Sequence, residues 1–155
     1  MPVWLDYRLV GSGWCECELK VDGRGVTVSG SYLSDPLYEF CAAAQALLGG
    51  ASHLRFSFDE EPGEYRWLLR ALDGETVAVS ILEFPELWSH APDSAGKLIF
   101  EARCGKRALA EALHSAMSHL LSEHGEEGYQ RKWVEYRFPV ERYRQLGAAL
   151  GLGGR

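Results

Sequence analysis

No stretch of this chain is both long and apolar enough to cross a bilayer. Its longest run without a formal charge, Phe40 to Leu54, is short and rich in Gly and Ala. The first residues, Met1-Pro2-Val3-Trp4-Leu5-Asp6, have neither the basic start nor the apolar centre of a secretory leader. Cysteine is scarce as well. Four in 155 residues do not form a disulfide scaffold, so a reducing cytoplasm is the expected compartment. Positive charge is outnumbered, with 16 Lys and Arg against 22 Asp and Glu for a formal charge of −6. That balance argues against a general binder of phosphate backbones, and no membrane partner is expected.

Recognisable chemistry is also missing. Gly11-Ser12-Gly13 is not a phosphate loop, because neither a Lys nor a helix start follows it. Ser12 and Ser31 lack the strand–turn–helix context of a nucleophile elbow, and Gly23-Arg24-Gly25 reads as a turn. Cys15 and Cys17, two apart, would share one face of a strand, but a structural zinc needs four ligands and the five histidines follow no ligand spacing. Cys15, Cys17, Cys41 and Cys104 are therefore expected as free thiols without metal, and no cofactor is expected. His119 and Glu123 suit a helix-surface pair. His114, three residues after Glu111, is expected on the surface unless a pocket faces it.

What is present suits one domain over residues 1–155, with 151–155 a frayed tail. A chain of this length buries roughly two-thirds of its unfolded surface without a staple. The 18 aromatics, five of them Trp, are ample for a core. Charge is unevenly placed: residues 1–128 carry 10 Lys and Arg against 20 Asp and Glu, whereas residues 129–155 carry six against two.

Alternation marks strands around residues 3–9, 15–20 and 26–28, with Asp22-Gly23 as a hairpin turn. Asp35 is a good N-cap and Pro36 a good first residue for a helix over 36–48, whose stripe is Leu37, Phe40, Cys41, Ala44, Leu47 and Leu48. Residues 53–84 read as a three-strand meander turning at Pro62-Gly63, as a type II turn with Gly63 in the left-handed region, and at Asp73-Gly74. A loop over 84–96 leads to a strand at 97–104. A helix over 106–123 then presents Leu109, Leu113, Ala116, Met117 and Leu120 on one face. Tyr129, Trp133, Tyr136 and Phe138 follow in a basic setting that suits a strand packed on a sheet. Pro139 opens a short last helix. The expected fold is α+β, an antiparallel sheet of about six or seven strands with the two main helices on one face.

The most informative stretch is Glu60-Glu61-Pro62-Gly63-Glu64-Tyr65-Arg66-Trp67, where a tight turn feeds an aromatic strand. It places four carboxylates, Asp59, Glu60, Glu61 and Glu64, around one hairpin tip. With Trp88 in the Pro-bounded loop as an aromatic anchor, these five residues are the candidate partner-binding set. Together with Ser31-Tyr32-Leu33-Ser34-Asp35-Pro36-Leu37 and the closing Tyr129, Trp133 and Phe138-Pro139, this stretch resembles a family of small bacterial single-domain proteins. Their organisation is similar to that of toxin-neutralising immunity proteins. The resemblance transfers no catalytic residue, and it implies a cytoplasmic protein-binding module with another protein, a basic toxin, as partner. The alternatives are a small enzyme with an unrecognised active site and nucleic-acid binding through the basic aromatic segment 129–144.

Overall fold

Two antiparallel meanders carry the architecture. The structure is a computed structural model and describes residues 2–86, 88 and 90–152. Strands β1 (Val3–Val10), β2 (Trp14–Val21) and β3 (Arg24–Ser31) form a sheet in the order β1-β2-β3. Helix α1 (Pro36–Leu48) leads to a second sheet of β4 (His53–Asp59), β5 (Glu64–Ala71), β6 (Thr76–Phe84) and β7 (Lys97–Gly105), in the order β4-β5-β6-β7. Helices α2 (Lys106–Trp133) and α3 (Val140–Ala149) close the chain.

The fold class is α+β, but the sheet is divided into three strands and four rather than continuous. Packing explains the division. Gly30 on β3 has no side chain, and a Cβ there would sit 3.2 Å from the Phe58 ring. The ring therefore lies against β3, and a side-chain bond from Ser31 Oγ to Asp59 O (3.1 Å) joins β3 to β4 where a ladder would otherwise run. The buried faces of both sheets meet in one core, with Tyr7 6.2 Å from Phe58. Phe40 of α1 stacks on Phe56 and tilts against Trp67. Burying this aromatic cluster is the largest local gain, because each ring removes roughly 150–250 Å² from water.

The helices cover the core side: α1 lies on β4, α2 on β1, and α3 against α1. Asp35 caps α1 by accepting from Tyr38 N (3.4 Å), with Pro36 at the first turn. Helix α2 runs ten residues beyond the expected end at 123. Gly125, at φ 67° and ψ 171°, interrupts it, and the chain then resumes helical geometry to Trp133. Tyr129 and Trp133 are thus one helical turn apart and both buried, where a strand had been expected. Gly13 N donates to Lys132 O (2.6 Å), tying this segment to the β1–β2 turn.

The β5–β6 turn differs from its sequence reading. Leu72 N donates to Thr76 O, so the β5–β6 connection spans four residues, and the Asp73 carboxylate accepts from the amides of Glu75 and Thr76 at 2.8 Å each. Of the tail 151–155, residues 153–155 lie outside the described residues. Leu152 N still bonds Gly147 O (2.8 Å). Among the described residues no helix is long and apolar enough to cross a membrane.

Candidate protein-binding site

The hairpin tip is closed by Glu60 N donating to Gly63 O (2.8 Å), and the Glu61–Pro62 peptide is cis. Gly63 does not take the left-handed conformation expected of it. Glycine is needed there for room instead: a Cβ would stand 2.4 Å from the carbonyl oxygen of Phe84.

The four carboxylates of the tip separate into different environments. Glu64 turns onto the outer face of the second sheet and is buried. It pairs with Arg66 at 3.2 Å and accepts from Ser57 Oγ at 2.6 Å. Arg66 is itself buried, donates to Ala91 O and Asp93 Oδ1 at 2.8 Å each, and lies 4.1 Å from the centroid of Phe84. Arg55 also pairs with Asp93. This network fastens the 85–96 loop onto the sheet. A buried charge is tolerable only with such saturation, because an unpaired one costs several kcal/mol.

Asp59, at the other edge of the network, accepts from Trp88 Nε1 at 3.2 Å. Trp88 is 62% exposed and, like His90, holds a positive φ (57° and 56°) that residues with side chains seldom adopt. Asp59, Glu64 and Trp88 line one open cleft with Arg66 and His90. Glu60 leaves that cleft and bonds Ser29 Oγ on β3, while Glu61 stays exposed at the tip.

Two acids not singled out from the sequence as binding residues complete the edge. Ser34 Oγ accepts from Asp59 N (3.3 Å), which draws the start of α1 alongside the tip and brings Asp35 and Glu39 with it. Burial pushes the Asp35 carboxyl up to about 6. Partial desolvation of its carboxyl by the surrounding protein, then the negative charges of Asp59 and Asp35, push Glu39 up to about 7. Asp59 is raised by burial against the opposing bond from Trp88. Among the described residues, no Lys or Arg forms an ion pair with Asp35, Glu39, Asp59, Glu60 or Glu61. The available signal was Asp35 itself, whose capping role already placed the helix start in the loop after β3.

The other candidates fall elsewhere. Along segment 129–144, Tyr129, Trp133, Phe138 and Tyr143 are buried, so these rings are not presented for stacking on bases, and of the aromatics expected there Tyr136 alone is exposed. Arg142 instead reaches Tyr38 OH and Gln45 Oε1 on α1. His114 is not on the surface: it is buried with its ring 4.6 Å from that of Tyr143 and nearly parallel to it. His119 pairs with Glu123 at 3.4 Å on the exposed side of α2. Cys15, Cys17, Cys41 and Cys104 are free and buried. Among the described residues, no three His, Cys, Asp or Glu side chains stand where they could hold a metal ion.

No family model matches this chain, and no curated protein does. Among solved structures, the CdiA-CT/CdiI toxin and immunity complex from Enterobacter cloacae shows a weak likeness of overall shape. Identity is 12%, the match covers 75% of this chain and 97% of that chain, and the TM-score is 0.45.

Proposed function

We propose that this protein is a protein-binding module that captures a basic partner on the acidic edge formed by Asp35, Glu39, Asp59, Glu60 and Glu61, with Trp88 as its anchor. The carrying observation is the contrast within one hairpin. Glu64 is neutralised by Arg66, whereas Asp59 at the same tip lies close enough to Asp35 and Glu39 for their charges to act on one another, with no cation among the described residues paired to any of the three. Crowded carboxylates repel one another, and a partner's Lys or Arg side chains relieve that repulsion while excluding water around Trp88. The sequence resemblance to immunity proteins makes a basic secreted toxin the first partner to test, with a cytoplasmic site of action.

The reaction is binding alone. Like charges on a rigid rim raise association rates, and the advantage is screened by salt over about 8 Å at physiological ionic strength. A cationic partner holds Asp35 and Glu39 in their ionised forms, so binding releases protons. Affinity is expected to rise as pH increases through about 6 to 7. The test is a surface-binding assay against the product of the adjacent reading frame. Reversing Glu60 and Glu61 to Lys should slow association and flatten its salt dependence, and Trp88→Ala should mainly speed dissociation. Unchanged rates in both variants would place the interface elsewhere.

A further inference from the structure

The other end of the same sheet face has the opposite charge. In the register of the second sheet, His53, Arg70, Ala78 and Arg103 stand opposite one another in sequence across β4, β5, β6 and β7, and so share the outer face. The three polar members are exposed and Ala78 is buried between them. Arg70 and Arg103 flank it two strand spacings apart, roughly 10 Å between backbones. Arg70, Ala78 and Arg103 line one cleft, with the short Ala78 side chain between the two arginines.

Among the described residues, neither Arg70 nor Arg103 forms an ion pair. Arg55 is taken by Asp93, and Arg24 donates to Glu101 O (2.8 Å), sealing the edge of β7. Asp22 and Glu101 line the same region, but among the described residues neither forms an ion pair with Arg70 or Arg103. Two clefts meet at Arg70 and Ala78. One, of about 230 Å³, has Leu68 and Leu69 among its lining residues with Ser80 and His53 beside them; the other, of about 450 Å³, reaches Arg103 and Arg24. Adjacent cations without a counter-ion are unfavourable across strands, and paired planar guanidiniums match the oxygens of a phosphoryl group.

We propose that Arg70 and Arg103 clamp the phosphoryl group of a small phosphorylated molecule over Ala78, with the ligand's body laid on Leu68 in the adjoining cleft. This site is independent of the acidic edge. The paired guanidiniums select an anionic group of phosphoryl geometry, the apolar floor selects an ester over free phosphate, and the cleft volume limits the ligand to a small molecule.

The test is an amide-resolved NMR titration with phenyl phosphate and with inorganic phosphate at constant ionic strength. Phenyl phosphate is expected to saturate and to bind more tightly than inorganic phosphate, shifting amides in residues 53–55, 68–70, 78–80 and 101–103. Arg70→Gln and Arg103→Gln should each weaken it roughly tenfold or more, since each removes one charged fork, while Arg131→Gln on the exposed part of α2 should leave it unchanged. Ala78→Glu supplies a carboxylate to both arginines and should abolish binding in a protein that melts no lower than the wild type. Failure of phenyl phosphate to saturate, equal weakening in Arg131→Gln, or undiminished binding in Ala78→Glu would overturn the proposal.

Discussion

On the outer face of the β1–β3 sheet, charges settle with their neighbours. Arg8 sits between Asp6 and Glu16, Lys20 reaches Glu18 at 3.9 Å, and its ammonium lies 5.0 Å from the centroid of Trp4. On the outer face of the β4–β7 sheet, charges are sorted along the strands. Acids crowd the Asp59 end, Arg70 and Arg103 stand at the other without ion pairs among the described residues, and the Glu64–Arg66–Asp93 network lies between them. Both sheets are antiparallel meanders that turn one face to the common core. The difference lies in whether a charge meets its complement in the adjacent strand. Locally paired charges make a solvated surface, while sorted charges leave potential for other molecules to neutralise.

Arg66→Ala attacks this contrast most directly. It removes the cation from a buried pair and releases Asp93 and Ala91, and removal of one buried partner typically costs about 3–5 kcal/mol. The urea midpoint should fall accordingly, and Trp88 fluorescence should respond as the 85–96 loop loses its fastening. Arg8→Ala on the first sheet should cost no more than about 1 kcal/mol, because Arg8 is solvent-exposed and neither of its partners is buried. Equal losses in the two variants would erase the distinction.

Gly63→Val comes next. Its Cβ would collide with the Phe84 carbonyl, and crowding of this kind costs about 1–3 kcal/mol, measurable in the same denaturation series. Full stability in this variant would show that the tip can move away from β6.

A smaller effect is expected from titration at the acidic edge. The folded chain holds a proton on Glu39 and Asp35 more tightly than the unfolded chain does. The stability they contribute is therefore fully present below their ordinary carboxylate range and is lost as pH rises through about 6 and 7. Glu39→Gln should remove part of that slope between pH 5 and 8. After solvent screening the change is about 0.5 kcal/mol or less, so it is best read from paired melts across pH. The smallest effect is reserved for Glu18→Ala, whose exposed partner Lys20 can turn to water: about 0.5 kcal/mol or less.

Much of the framework was legible from local rules. Alternation and turn residues together located the seven strands seen among the described residues, and the Asp35-Pro36 pair located α1, because each signal depends on residues close in the chain. Turn geometry at Gly63 was read as a demand for positive φ, although the glycine answers to Phe84, twenty-one positions away. The division of the sheet depends on Phe58 seating on Gly30, also a distant pairing. The end of α2 was obscured by Gly125, which resembles a stop signal, yet Tyr129 and Trp133 already carried the four-residue spacing of a helix. At the proposed site, Glu61 and Trp88 are exposed as their residue types suggest, whereas Asp59 and Glu60 are half-buried. The burial of Glu64 required knowing that Arg66 and Asp93 converge on it.

The four buried thiols give the fold a set of internal clocks. Burial pushes Cys15 and Cys41 up to about 12 and Cys104 up to about 11, and Cys17 is raised as well, so none is a nucleophile while its surroundings stay closed. An alkylating reagent added to the native protein can therefore react only after the structure around a given thiol opens. Cys15 and Cys17 would time the parting of β2, Cys41 the lifting of α1, and Cys104 the fraying of β7. Mass spectrometry of the labelled peptides would then show whether the two sheets open together or one before the other.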